Sequence, residues 1–158
     1  MRAVVQRVLQ AGVSVDNREV SAIGKGLLVL ACVEKGDGEA EIGWMANKIR
    51  SLRIFDDGQG KMNLSVEEIG GEILAVSQFT LASRIGKGRR PDFVLAEEPR
   101  RAERLFGQFV GKLGEGSAPV KQGVFQAMMM VRLVNDGPVT FILERRAKAN
   151  ELESESAP

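Results

Sequence analysis

Residues 27–33, Leu-Leu-Val-Leu-Ala-Cys-Val, form an unbroken apolar run behind the turn signal Gly24-Lys25-Gly26. A strand of that length without polar alternation must be covered on both faces, so it belongs at the centre of a layered sheet. Ile73-Leu74-Ala75-Val76 repeats the pattern, and residues 1–8 and 11–15, Val-rich and partly alternating, read as two more strands separated by a break. Only two segments carry helical spacing. One places Ile42, Met45, Ala46, Ile49 and Leu52 on a face, with Asp37 as the capping residue and Glu39 and Glu41 in the first turn. The other places Ala102, Leu105, Phe106, Phe109, Val110 and Leu113 on a stripe that Pro99 starts and Gly114 ends. Residues 125–134 and 139–143 read as strands joined through Asn-Asp-Gly-Pro. Many strands at hairpin-like spacing and two helices argue an α+β fold: a curved, barrel-like, mainly antiparallel sheet with the two helices packed outside.

The chain of 158 residues, 44% apolar, suits one domain over residues 1–144, and the charged, patternless stretch 145–158 reads as a disordered tail. Residues 1–20 show no basic segment leading into an apolar core, and no run of about 18 apolar residues occurs, so a cytoplasmic protein without a membrane partner is expected. A net charge of +1 makes no case for a polyanionic partner, so any nucleic-acid contact must use a local patch. The chain has no histidine and one cysteine. That excludes Ser-His-Asp and Cys-His triads, imidazole proton transfer and an intrachain disulfide, and leaves zinc without its usual ligands. Neither a metal nor a cofactor is expected, and Cys32 reads as a buried strand thiol.

Two segments invite a chemical reading. Ser77-Gln78-Phe79-Thr80-Leu81 stands where an apolar strand ends, so that the N–H groups of Phe79 and Thr80 lose their ladder partners beside two hydroxyls, as an oxyanion site requires. The plainer account is a strand closed by Ser and Thr bonding their own backbone. In Asn135-Asp136-Gly137-Pro138-Val139-Thr140 the base rate favours a trans proline in a tight turn, yet a backbone held by Asn135 and Asp136 can present the Gly137 and Pro138 carbonyls to an ammonium group. Between them, residues 82–92 form a glycine-containing loop carrying Arg84, Lys87, Arg89 and Arg90, read as mobile and either solvated or in contact with phosphates. Gly86-Lys87-Gly88 lacks the spacing of a P-loop. Of Met128-Met129-Met130, strand alternation puts Met129 opposite its neighbours, with at least one face in the core.

Residues 1–8, Gly60-Lys61-Met62-Asn63, residues 77–81, Arg90-Pro91-Asp92-Phe93 and residues 135–140 together resemble the D-aminoacyl-tRNA deacylase family in order and spacing, over residues 1–144. The resemblance implies hydrolysis of the ester linking a D-amino acid, or glycine mischarged on tRNA-Ala, to the terminal ribose of tRNA, with no metal. It implies that Ser77, Gln78, Phe79 and Thr80 line the reaction site, with Phe79 and Thr80 N–H as oxyanion donors and Thr80 either nucleophile or water-positioner. Since no evident base activates Thr80, assistance by the 2′-hydroxyl of the tRNA is the favoured route. The resemblance further implies a homodimer in which a cis Gly137-Pro138 enters the opposite subunit's site as a chirality gate, braced by Arg7 and held by Asn135 and Asp136. Phe125, Ala127 and Met129 would then line the adenosine pocket, and Lys87, Arg89 and Arg90 would meet tRNA phosphates. Gln126 and Met128 depart from the family's small and often acidic residues, leaving the shape of that pocket open. They also motivate a competing reading, a tRNA-end binding protein without catalysis; the third is an unrelated structural domain whose Gly-Pro is a simple turn.

Overall fold

Asp16 and Asn17 both take positive φ, 49° and 60°, and turn β1 (Arg2–Val15) tightly onto β2 (Arg18–Ile23). In the computed structural model, which describes residues 1–86 and 88–147, that hairpin continues in one register into β3 (Gly26–Cys32): Ala11 faces Ile23 and Val8 faces Gly26. The two strands expected before residue 16 are thus one strand, irregular where they were separated. An extra residue around Leu9 shifts its pairing with the last strand, and the buried face changes with it: Ala3 and Val5 join one apolar cluster, Val8, Ala11 and Val13 the other.

The apolar run is central, as its composition requires. β3 pairs antiparallel with β1 on one edge and parallel with β6 (Glu72–Ser77) on the other, and β6 pairs parallel with the short β7 (Val120–Gln122). The parallel pairs exist because α1 (Glu39–Ser51) and α2 (Pro99–Leu113) lie on the two crossovers between these strands. The sheet is therefore mixed, antiparallel around β1, and curls into a nearly closed barrel-like form. β4 (Phe55–Asp56) and β5 (Met62–Leu64) make a separate small hairpin. Gly26 permits the β3–β6 approach: a Cβ there would stand 1.9 Å from the Glu72 carbonyl oxygen.

Ile42, Met45 and Ile49 of α1 and Leu105, Phe106, Phe109 and Leu113 of α2 pack on the face carrying Val5, Leu27, Val29, Ile73 and Ala75. Each such large side chain contributes about 1.5–3 kcal/mol. Glu98 caps α2 by accepting from the N–H groups of Arg100 and Arg101. Asp37, however, does not cap α1. The cap is Gly38, whose N–H donates to Glu41, while the Asp37 carboxylate is drawn inward to the Glu34 N–H (2.7 Å) and the Met1 amino group (2.6 Å). Burial pushes that carboxyl up despite the ammonium beside it.

The last strand, β8 (Met130–Glu144), corrects a second expectation. Asn-Asp-Gly-Pro does not reverse the chain; both halves of β8 run antiparallel to β1, from Met130 opposite Ser14 to Glu144 opposite Arg2. Gln6 faces Thr140 and Val8 faces Asn135, so the intervening residues bulge out of a continuous strand. Residues 125–127 form a turn rather than the start of a strand, with Gln126 at φ 61°. The tail expected from residue 145 lies, from residue 148 on, outside the described residues. No helix among the described residues is long and apolar enough to cross a membrane.

Candidate functional site

Ser77 is the last residue of β6, paired with Ala31, and Gln78 N–H still donates to the Ala31 carbonyl at 2.8 Å. There the ladder stops, and residues Phe79–Ala82 close into one 3₁₀ turn in which Leu81 N–H donates to Gln78 and Ser83 N–H to Thr80. The N–H groups of Phe79 and Thr80, first in the turn, find no acceptor among the described residues. They are free donors beside the exposed Thr80 and the half-buried Ser77, the arrangement anticipated from the strand end. The Gln78 side-chain amide donates to Thr80 Oγ1 and fixes that hydroxyl's lone pairs. Among the described residues, no carboxylate, lysine or thiolate is hydrogen-bonded to Thr80 to serve as its base.

Two supports of this turn were not legible as such in the sequence. Arg2 donates to the Leu81 carbonyl at 2.7 Å and is itself held by Glu144 at 3.0 Å, tying the turn to the first and last strands. Cys32 lies beneath it, with Sγ 3.5 Å from the Phe79 carbonyl. Burial first, then the Glu34 carboxylate, pushes its thiol up to about 11, which removes it as a nucleophile near neutrality. Accordingly, iodoacetamide at pH 8 should label the native chain slowly and the guanidinium-unfolded chain fully; rapid native labelling would contradict this placement.

The second segment is clamped from one side. Arg7, 8% exposed, donates from Nε to the Asp136 carbonyl at 2.9 Å and from Nη1 to the Ile54 carbonyl at 2.8 Å, with the Asp136 and Asp56 carboxylates at 3.2 and 3.3 Å. Asn135 Nδ2 donates to the carbonyls of Arg7 and Val139, at 2.9 and 3.2 Å, and closes the bulge across its base. Gly137 and Pro138 remain exposed, joined by a cis peptide. The isomer differs from the base-rate expectation for an X-Pro bond and agrees with that implied by the resemblance.

The structure does not bring the two segments together within one chain. Ser77 lies beside Ala31 and Ala31 beside Ala3, whereas the bulge lies opposite Arg7. Along the sheet they stand about 13 Å apart in the strand direction and about 14 Å across three strand spacings. The adenosine-pocket candidates are also divided. Phe125 packs against Phe106 with centroids 6.2 Å apart, Ala127 is half-buried in the turn, and Met129 joins the opposite cluster with Val8 and Val13. Met128 is 90% exposed, so of the methionine run only Met129 turns inward. Arg89 and Arg90 are exposed, with no ion pair among the described residues, and Lys87 lies outside them. Among the described residues, no group of three or more Cys, Asp or Glu side chains converges as metal ligands.

A strand-end turn with free N–H donors and two hydroxyls, carried on a curled mixed sheet, offers an oxyanion its hydrogen bonds through backbone groups. A family model described as D-Tyr-tRNA(Tyr) deacylase matches residues 4–144. The D-aminoacyl-tRNA deacylase of Geotalea uraniireducens is 60% identical over 144 residues, covering 91% of this chain and 93% of that one. A solved structure titled c-Myc DNA Unwinding Element Binding Protein superposes with a TM-score of 0.88 at 44% identity, over 93% of this chain and all of that one. A probable eukaryotic D-amino acid tRNA deacylase, at 19% identity and a TM-score of 0.74 over 90% of this chain and 97% of its own, shares the fold. The chain belongs to the D-Tyr-tRNA(Tyr) deacylase family.

Proposed function

We propose that this chain is an enzyme hydrolysing the ester of D-aminoacyl-tRNA, releasing the D-amino acid and free tRNA. The observation that carries the reading is the pair of free N–H groups at Phe79 and Thr80, donors from which a tetrahedral oxyanion would accept. Because no protein base is bonded to Thr80 among the described residues, the 2′-hydroxyl adjoining the ester assists the attacking water, and the protein contributes position and electrostatics. Thr80, its hydroxyl held by Gln78, positions that water.

The enzyme works as a homodimer. Its support is β8, which among the described strands pairs with β1 alone and leaves Met130, Val134 and Ile142 exposed, the last at 68%; an open apolar edge of this kind invites a partner strand or face. Pairing would also let Gly137 and Pro138 reach a Ser77–Thr80 turn that their own chain keeps distant. Their carbonyls then accept from the α-ammonium and occupy the space an L side chain needs, while a D side chain points outward and glycine offers nothing to reject. Glycyl-tRNA mischarged on tRNA-Ala is therefore a second substrate. Phe125, Ala127 and Met129 shape the adenosine end, and Lys87, Arg89 and Arg90 meet phosphates. Such a substrate places the enzyme in the cytoplasm.

Purified protein given D-Tyr-tRNA and L-Tyr-tRNA should release only D-tyrosine; equal rates, or binding of the D-substrate without turnover, would sink the reading, the latter in favour of a tRNA-end binding protein. Thr80→Ala should lower kcat about tenfold, the worth of one positioning hydrogen bond. A loss on the order of 10⁶-fold would instead identify Thr80 as the nucleophile.

A further inference from the structure

Phe79 is 59% exposed although it begins the reaction-site turn, and its ring meets Phe93 edge to face, centroids 5.1 Å apart at 64°. Phe93 follows Asp92, which is paired with Arg84 through two backbone hydrogen bonds of 2.9 and 3.1 Å. Ile85, which follows Arg84 in that bridge, is itself 76% exposed. Val94 is exposed as well, and in the same loop, three and four residues before Phe93, Arg90 and Arg89 are exposed with no carboxylate partner among the described residues, the neighbouring Asp92 carboxylate being paired with Arg84. An exposed ring braced by a half-buried one, with unpaired guanidinium groups in the adjoining loop and free N–H donors on the same turn, matches the chemistry of an unpaired nucleotide: a base that stacks and a phosphate that is neutralised. An apolar protein surface would leave the arginines unmatched, whereas a single-stranded RNA end satisfies both features.

We infer that the Phe79–Phe93 pair is a stacking platform for the nucleobase that precedes the terminal adenosine of the tRNA, with Arg89 and Arg90 on the adjoining phosphates. This inference rests on the deacylase reading. Stacking tolerates any base, so the platform orients the unpaired end without selecting among tRNAs, and Phe93 is the specificity-neutral positioning residue that holds the Phe79 ring.

The test uses the full chain and two D-aminoacyl minihelices, one complete and one abasic at the nucleotide before the terminal adenosine. Phe93→Ala should lose about tenfold in kcat/KM on the complete substrate, mainly through KM, and Phe93→Trp should retain wild-type values. The wild type should lose a similar factor on the abasic substrate, where Phe93→Ala loses nothing further. Equal losses by Phe93→Ala on both substrates, or none on the complete one, would overturn the platform. Failure of the wild type to cleave the complete D-substrate would overturn the deacylase reading itself.

Discussion

Gly137→Ala is expected to lower kcat/KM for D-aminoacyl-tRNA by about 10²-fold and to narrow the difference between D and L substrates. The added Cβ would stand 2.3 Å from the Val139 nitrogen and 2.6 Å from Asn135 Oδ1, and the first of these is backbone that no side-chain rotation can clear. The bulge must therefore shift, and Asn135 is the side chain that ties it to the Arg7 and Val139 carbonyls. If the Gly137 and Pro138 carbonyls hold the α-ammonium as proposed, a displacement near 1 Å is enough to misplace it, and with it the scissile ester. The stability cost should be smaller, about 1–3 kcal/mol, because the bulge borders solvent and only a few residues relax. Steady-state kinetics on both enantiomers of the charged tRNA, beside a thermal melt, separates the two effects. A folded variant with unchanged D and L kinetics would remove Gly137 from the chirality gate.

Arg7→Ala should produce the largest loss of stability, about 2–4 kcal/mol, read as a melting temperature roughly 5–15 °C lower. Its guanidinium satisfies the buried Ile54 carbonyl and the Asp136 carbonyl at once, joining the loop after α1 to the bulge in β8. Truncation strands both acceptors and leaves the Asp136 carboxylate without its cation. Arg7→Lys should recover only part of this, since an ammonium is a point charge and cannot reproduce the fork that reaches two carbonyls in different directions. Activity should fall more than the fraction unfolded explains, because the Asp136 carbonyl is the bond next to Gly137. Arg7→Lys with wild-type melting and kinetics would show that the fork is dispensable.

The fold was largely legible because its strongest signals are local. The stripe of Leu105, Phe106, Phe109 and Leu113 states its element by spacing, and the continuous run at residues 27–33 does so by its short length behind a glycine turn. β2 and β7 were not legible: β2 is mostly exposed, and β7 has only three residues, so neither carries an apolar pattern long enough to read. Asp37 misled because a carboxylate before a helix suits a cap equally well on local grounds, and only the folded chain offered it the Met1 amino group.

The site divides in the same way. The sequence by itself determined that the chemistry must proceed without imidazole or a thiol pair, and that Ser77 to Thr80 stand where a strand runs out, since composition and apolar run length are properties of the chain alone. Only the tertiary structure decided that Asn-Asp-Gly-Pro is a bulge within β8 rather than a turn. Direction depends on what both halves pair with, and that partner, β1, lies more than a hundred residues away. The same distant pairing fixed Arg7 beneath the bulge and set the two motifs too far apart to meet in one chain.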